Sequence, residues 1–100
     1  KAARYMSVDD VRARLLKVTD KVAVIDAMEL ARRAGHPLTE NVVMLGTLSA
    51  VEAFPVPEEA LRRSIVERIP QKAVDVNLRA FDLGKEAAYG GLCNIVKCRK

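Results

Sequence analysis

Cys93 and Cys98, spaced C-x4-C, are the only cysteines in the chain. A zinc site wants four ligands and usually tighter pairs such as C-x2-C. The single histidine, His36, lies far away in sequence and does not complete a set. The leading expectation is a pair of reduced cytosolic thiols, with a disulfide left open. Cys93 would be a reactive thiol only beside a positive helix end. His36 sits in a Gly-His-Pro turn. A general base needs a positioned partner, and none is evident, so His36 reads as an exposed turn residue. Asp26 is the more interesting acid. It closes a short apolar run, and in open α/β sheets ligands bind beyond the carboxyl ends of strands. An acid there can hold a ribose hydroxyl; alternatively, Asp26 caps the helix that begins at Ala27. No P-loop, G-x-G-x-x-G, H-E-x-x-H or G-x-S-x-G motif is present.

The elements that would position these residues can be read from pattern. Ser7 followed by Asp10 forms a capping-box-like S-x-x-D. Behind it, Val8, Val11, Leu15 and Leu16 share one helical face, with Arg12, Arg14 and Lys17 on the other. Thr19-Asp20 reads as a turn. Val22-Ala23-Val24-Ile25 is a continuous apolar run rich in β-branched residues, which predicts a strand buried on both faces. Met28 to Ala34 reads as a short helix ended by Gly35 and Pro37.

Asn41 to Phe54 carries no charge before Glu52 and is apolar around the whole helical wheel. A helix of that kind must be covered on all sides, and it is too short to cross a bilayer, which takes about 20 residues. Thr39 is placed to cap it, and Pro55 to end it. Gly46, with Thr47 and Ser49 nearby, would let another backbone approach closely. Pro57 opens the next helix, striped by Leu61, Ile65 and Ile69 and broken at Pro70. The last helix runs from about Gln71 to Tyr89, with Val74, Leu78, Phe81 and Ala88 near one face. One strand and five helices result, and one strand is not a sheet. The pattern therefore predicts an α/β fold, the helix-rich C-terminal part of an α/β domain whose N-terminal strands are absent from the chain or supplied by something else. Residues 1–90 form that unit, and 91–100 form a basic tail.

Composition bounds the function classes. Half of the 100 residues are apolar and 30% are charged, with a net charge of +4. That is ordinary for a globular domain. The basic residues are mixed with acids except at Lys97-Cys98-Arg99-Lys100, and aromatics are scarce. Nucleic-acid binders gather positive charge and stack bases on aromatic rings, so no nucleic acid is expected. With no signal-peptide pattern and no apolar stretch of spanning length, no membrane is expected either, and the location expected is cytoplasmic.

An ordered set of motifs resembles a known family. It comprises Tyr5-x-Ser7-Val8-Asp9-Asp10, Val24-Ile25-Asp26-Ala27, Glu29-Leu30-Ala31 with Gly35, and Asn41-Val42-Val43-Met44-Leu45-Gly46. Pro57-Glu58-Glu59-Ala60-Leu61 follows, and then Lys72 to Gly84, with Asn77 and the A-F-x-x-G of Ala80 to Gly84. Residues 5 to 88 are similar to the C-terminal half of the gamma-type component of 2-oxoacid:ferredoxin oxidoreductases, most nearly the indolepyruvate branch. The G-x-G-G-Q-G loop of that family does not occur here, so the resemblance implies the helix-rich C-terminal part of a three-layer Rossmann-like domain with a mostly parallel sheet, its N-terminal strands and Gly-rich loop missing. The resemblance implies a non-catalytic structural component of a complex that decarboxylates a 2-oxoacid to an acyl-CoA and reduces ferredoxin. It also implies catalytic partner subunits of alpha and beta type. Thiamine diphosphate, Mg²⁺, 4Fe-4S clusters and coenzyme A would be held elsewhere in the complex, with no cofactor in this chain. Asn41, Met44, Gly46, Asn77 and Phe81 are the interface residues it implies, and Asp26 stays a cofactor candidate. Two alternatives remain: a nucleotide-binding Rossmann-like module, and a small basic helical interaction protein.

Overall fold

A computed structural model describes residues 7–99 of the chain. Tyr5, which opens the first motif of the resemblance, and Lys100, which closes the basic tail, lie outside the described residues. The element order is α1 (Val8–Leu15), α2 (Ala27–Ala34), α3 (Glu40–Ser49), α4 (Glu58–Arg68) and α5 (Gln71–Gly90). Short 3₁₀ turns at Pro37–Thr39 and Leu92–Asn94 precede α3 and follow α5.

Local chemistry accounts for several of the helix ends. Ser7 Oγ accepts from the Asp10 N–H at 3.1 Å and starts α1. Asp26 Oδ1 accepts from the Glu29 N–H at 3.0 Å and starts α2. Gly35, at φ 121°, takes the left-handed cap that ends α2. Arg79 Nε then donates to the Ala34 carbonyl at 2.8 Å, placing a cation against the negative end of that helix. Thr39 precedes α3 but makes no side-chain cap. Its hydroxyl instead donates to the His36 carbonyl at 2.8 Å, inside the 3₁₀ turn.

The three-layer α/β expectation is overturned. Among the described residues there is no strand, only an isolated antiparallel bridge between Val51 and Cys98. Val22 to Ile25 runs without regular structure, and among the described residues no backbone hydrogen bond joins it to another segment. Its Val24 is 52% exposed rather than buried on both faces. β-branched residues supply side chains that suit a sheet, but a strand exists only with a paired ladder, and a segment without one stays open.

The core is built instead by helix on helix. α3 lies against α5, with α2 packed on both. Ala31, Ala34, Val43 and Ala80 form the buried cluster, flanked by Leu30, Val42, Val76 and Leu83. The decisive feature is a reciprocal pair of glycines. A side chain at Gly46 would strike the Phe81 carbonyl of α5. A side chain at Gly84 would strike the Val43 carbonyl of α3. Two helices bare of Cβ at their crossing point bring backbone onto backbone. Thr47 Oγ1 seals this contact, lying 3.0 Å from both the Val43 and the Gly84 carbonyl oxygens.

The helix read from Asn41 to Phe54 is shorter in the structure, ending at Ser49. Ser49 Oγ donates back to the Gly46 carbonyl at 2.6 Å. Beyond it, Val51 turns aside to pair with Cys98. The C-x4-C pair, expected as reduced thiols, is joined as a Cys93–Cys98 disulfide. The Leu92–Asn94 turn reverses the chain after α5 and brings the two Cα atoms to 5.5 Å.

Candidate assembly interface

The residues singled out from sequence separate into inner and outer groups. Phe81 is fully buried, and Gly46 lies against its backbone. The Arg62 guanidinium sits 4.7 Å from the centre of the Phe81 ring, a distance at which cation and ring attract. Asn77 is 9% exposed, and its Nδ2 donates to the Ala73 carbonyl at 2.8 Å along its own helix. These three contribute to packing within the chain. Asn41 and Met44 lie on the outside of α3. With Leu48, they recur at helical spacing and form an outward stripe, in which Met44 is 42% and Leu48 38% exposed. α3 is therefore covered on one side, although its sequence is apolar on every side.

A second open surface surrounds α1. That helix buries none of its residues and packs against no other helix. Val8, Val11 and Leu15 face the Val22–Ile25 segment across a groove of about 330 Å³. An adjoining hollow of about 450 Å³ continues past Asp26 and Met28 to Glu40. Val8, Leu16 and Met28 are all exposed. Sequence reasoning marked α1 as amphipathic but did not foresee that its apolar face would be left uncovered. The signal available was the absence of any second strand to cover it.

One ionic cluster lies between α4 and α5. Lys85 and Arg62 both reach Glu58, at 2.7 Å each, and Arg62 also pairs with Asp82. The bonds from Lys85 first, and then from Arg62, hold the Glu58 carboxyl below the ordinary glutamate range, outweighing partial burial. Partial burial pulls the Arg62 pKa down, but the bonds to Asp82 and Glu58 prevail and raise it. All of these groups are paired with one another, as in a structural tie between α4 and α5.

The chemical candidates resolve more simply. The Asp26 carboxylate is engaged as the α2 cap. His36 Nδ1 accepts from the Leu38 N–H at 3.1 Å and shapes the 3₁₀ turn. Among the described residues, no group of three His, Cys, Asp or Glu side chains could hold a metal ion. A 4Fe-4S cluster takes four thiolates; the two cysteines of this chain are bonded to each other, so these residues do not fit one. No described helix is long and apolar enough to cross a membrane.

The described chain is thus a helical packing unit with an open apolar flank. Residues 6–87 match the pyruvate ferredoxin/flavodoxin oxidoreductase family, and the chain belongs to that family. It is 46% identical over 68 residues to indolepyruvate oxidoreductase subunit IorB of Thermococcus kodakarensis, covering 68% of this chain and 34% of that protein. The same-named subunit of Pyrococcus horikoshii is 40% identical over 88 residues, covering 86% of this chain and 43% of that one. A ketoisovalerate oxidoreductase subunit VorA of Methanothermobacter thermautotrophicus is 35% identical over 66 residues, covering 64% of this chain and 14% of its own length. The chain spans less than half the length of these relatives. No solved structure matches it.

Proposed function

We propose that this chain is a non-catalytic structural component of a multi-subunit 2-oxoacid:ferredoxin oxidoreductase, of the indolepyruvate type. Family membership supports the reaction class, and the relatives named indolepyruvate oxidoreductase subunit support the branch. The observation that carries the structural role is the open apolar surface of α1, the Val22–Ile25 segment and the α3 stripe. Neighbouring exposed apolar residues that form a contiguous patch mark surfaces that other material covers. In this reading the covering material is the catalytic subunits. They hold thiamine diphosphate, Mg²⁺, the 4Fe-4S clusters and coenzyme A, and ferredoxin accepts the electrons in the cytoplasm.

The test is co-purification of the full chain with its catalytic subunits. Val11→Glu with Leu15→Glu places two charges on the α1 face without touching the buried core. The expected result is loss of co-purification with the helical circular-dichroism signal retained. Undiminished co-purification, together with full 2-oxoacid-dependent ferredoxin reduction, would overturn this use of the surface. Met44→Glu on α3 examines the second patch in the same way.

A further inference from the structure

The segment after α5 lies outside the family match, which ends at residue 87, yet it makes some of the densest polar contacts in the chain. The Arg99 guanidinium donates to three backbone carbonyls beyond the end of α3's helical hydrogen bonding. Nη1 reaches Ser49 O at 2.9 Å and Val51 O at 3.0 Å, and Nη2 reaches Phe54 O at 2.6 Å. The Arg99 N–H donates to Ala50 O at 2.7 Å, and the Glu52 N–H donates to Lys97 O at 3.0 Å. The Tyr89 hydroxyl closes the ring by donating to Arg99 O at 2.8 Å. Lys97 Nζ stands 3.5 Å from Glu52. A guanidinium offers five donors and no acceptor, and here it serves carbonyls where the helix ends; Val51 O also accepts from the Phe54 N–H.

One covalent bond lies within this clasp. Cys93 belongs to the turn that leaves α5, and Cys98 is the residue that bridges to Val51. The disulfide between them holds the chain in the reversal that delivers Arg99 to the α3 end. Asn94 to Lys97 are exposed or half-exposed, so the loop lies open to solvent reagents.

We propose that residues 92–99 form a thiol–disulfide-controlled clasp on the C-terminal end of α3. A dithiol reductant supplies two electrons and two protons. The S–S bond breaks, Cys93 and Cys98 each end as thiols, and the reductant closes its own disulfide. The freed segment then recovers the chain freedom that the closed loop denied it, and the Arg99 contacts lose their preorganisation. Closure of a loop this short biases the clasped state by on the order of 30-fold. Oxidised, the clasp ties α5 to α3 and ends α3 at Ser49; reduced, it releases residues 50–54.

The experiment compares the full chain in oxidised and reduced dithiothreitol. Iodoacetamide labelling and mass spectrometry count the free thiols, and hydrogen exchange is read at the Glu52 and Arg99 amides. Reduction is expected to free two thiols and to accelerate exchange at both amides by on the order of 30-fold. Amides in the middle of α5 should stay unchanged. Cys93→Ser with Cys98→Ser should show the fast rate in both buffers. Arg99→Ala should show it at Glu52 with the disulfide intact, separating the clasp from the bond that shapes it. Two labelled thiols after treatment with oxidised dithiothreitol would overturn the proposal. So would equal exchange in the two buffers once labelling proves that the bond has been cut.

Discussion

Replacing Gly46 with Ala adds one methyl group at the tightest point of the α3–α5 contact. The new carbon would fall on the Phe81 carbonyl oxygen, 2.8 Å from the carbonyl carbon and 3.0 Å from the Phe81 Cα. The obstacle is backbone within a 20-residue helix, so no change of rotamer relieves it, and the helices must part. Overpacking costs typically 1–3 kcal/mol, and a backbone obstacle places this case near the top, about 3 kcal/mol. Parting the helices also stretches the Thr47–Gly84 hydrogen bond, worth about 1 kcal/mol. Against this, Ala is favoured over Gly in a helix interior by about 1 kcal/mol. The net loss is about 3 kcal/mol, which in a domain of this size lowers Tm by roughly 12–24 °C. Thermal melting followed by circular dichroism measures it. Gly90→Ala is the control, because nothing lies within 4 Å of its added Cβ. A Gly46→Ala variant melting within about 3 °C of the parent, less than the shift from 1 kcal/mol, would show that the backbone-to-backbone contact is absent.

Other consequences follow from the same contacts. Gly84→Ala should destabilise to a similar degree, by about 3 kcal/mol. The double variant with Gly46→Ala should cost less than the sum, since a contact once opened is open for both; chemical denaturation would read an additive result as evidence against a shared contact. Asp26→Ala removes the α2 cap and should lower stability by about 1 kcal/mol, measured by urea titration; calorimetry with adenine nucleotides should show no heat for parent or variant. Glu58 predicts an acid limb. Its folded pKa is depressed, so its contribution is fully present above the unfolded value and is lost as pH falls through the lower folded one. Stability measured from about pH 5 downward, across the ordinary carboxylate value near 4.3, should therefore decline more steeply in the parent than in Glu58→Gln. Matching slopes would remove the Lys85–Glu58–Arg62 cluster from the account.

Much of the helical layout was legible because it is written in short-range chemistry. Ser7 with Asp10, Asp26 with Glu29, Gly35, and the prolines at 57 and 70 each act within a few residues of themselves. Periodicity likewise marked Val74, Phe81 and Ala88 for the interior. Gly46 was readable as a point of close approach because a missing Cβ in an apolar helix has few other uses. Its partner was not, since nothing in the spacing of 46 and 84 says that the two glycines oppose each other.

The Val22–Ile25 run shows where local reading stops. Its residues suit a strand, but strand formation is a property of pairs, and no described segment supplies the ladder. α3 fails differently: Ser49 bonds back to Gly46, while Arg99, fifty residues away, takes the Ser49 and Ala50 carbonyl oxygens that would have carried the helix onward. Sequence alone determined the caps at Ser7 and Asp26 and the helix ends at Gly35 and Pro70, because those are settled by each residue's own backbone and nearest turn. Only the tertiary structure decided what each helix covers, where α3 ends and how the cysteines pair, because those depend on groups that folding brings together from distant positions.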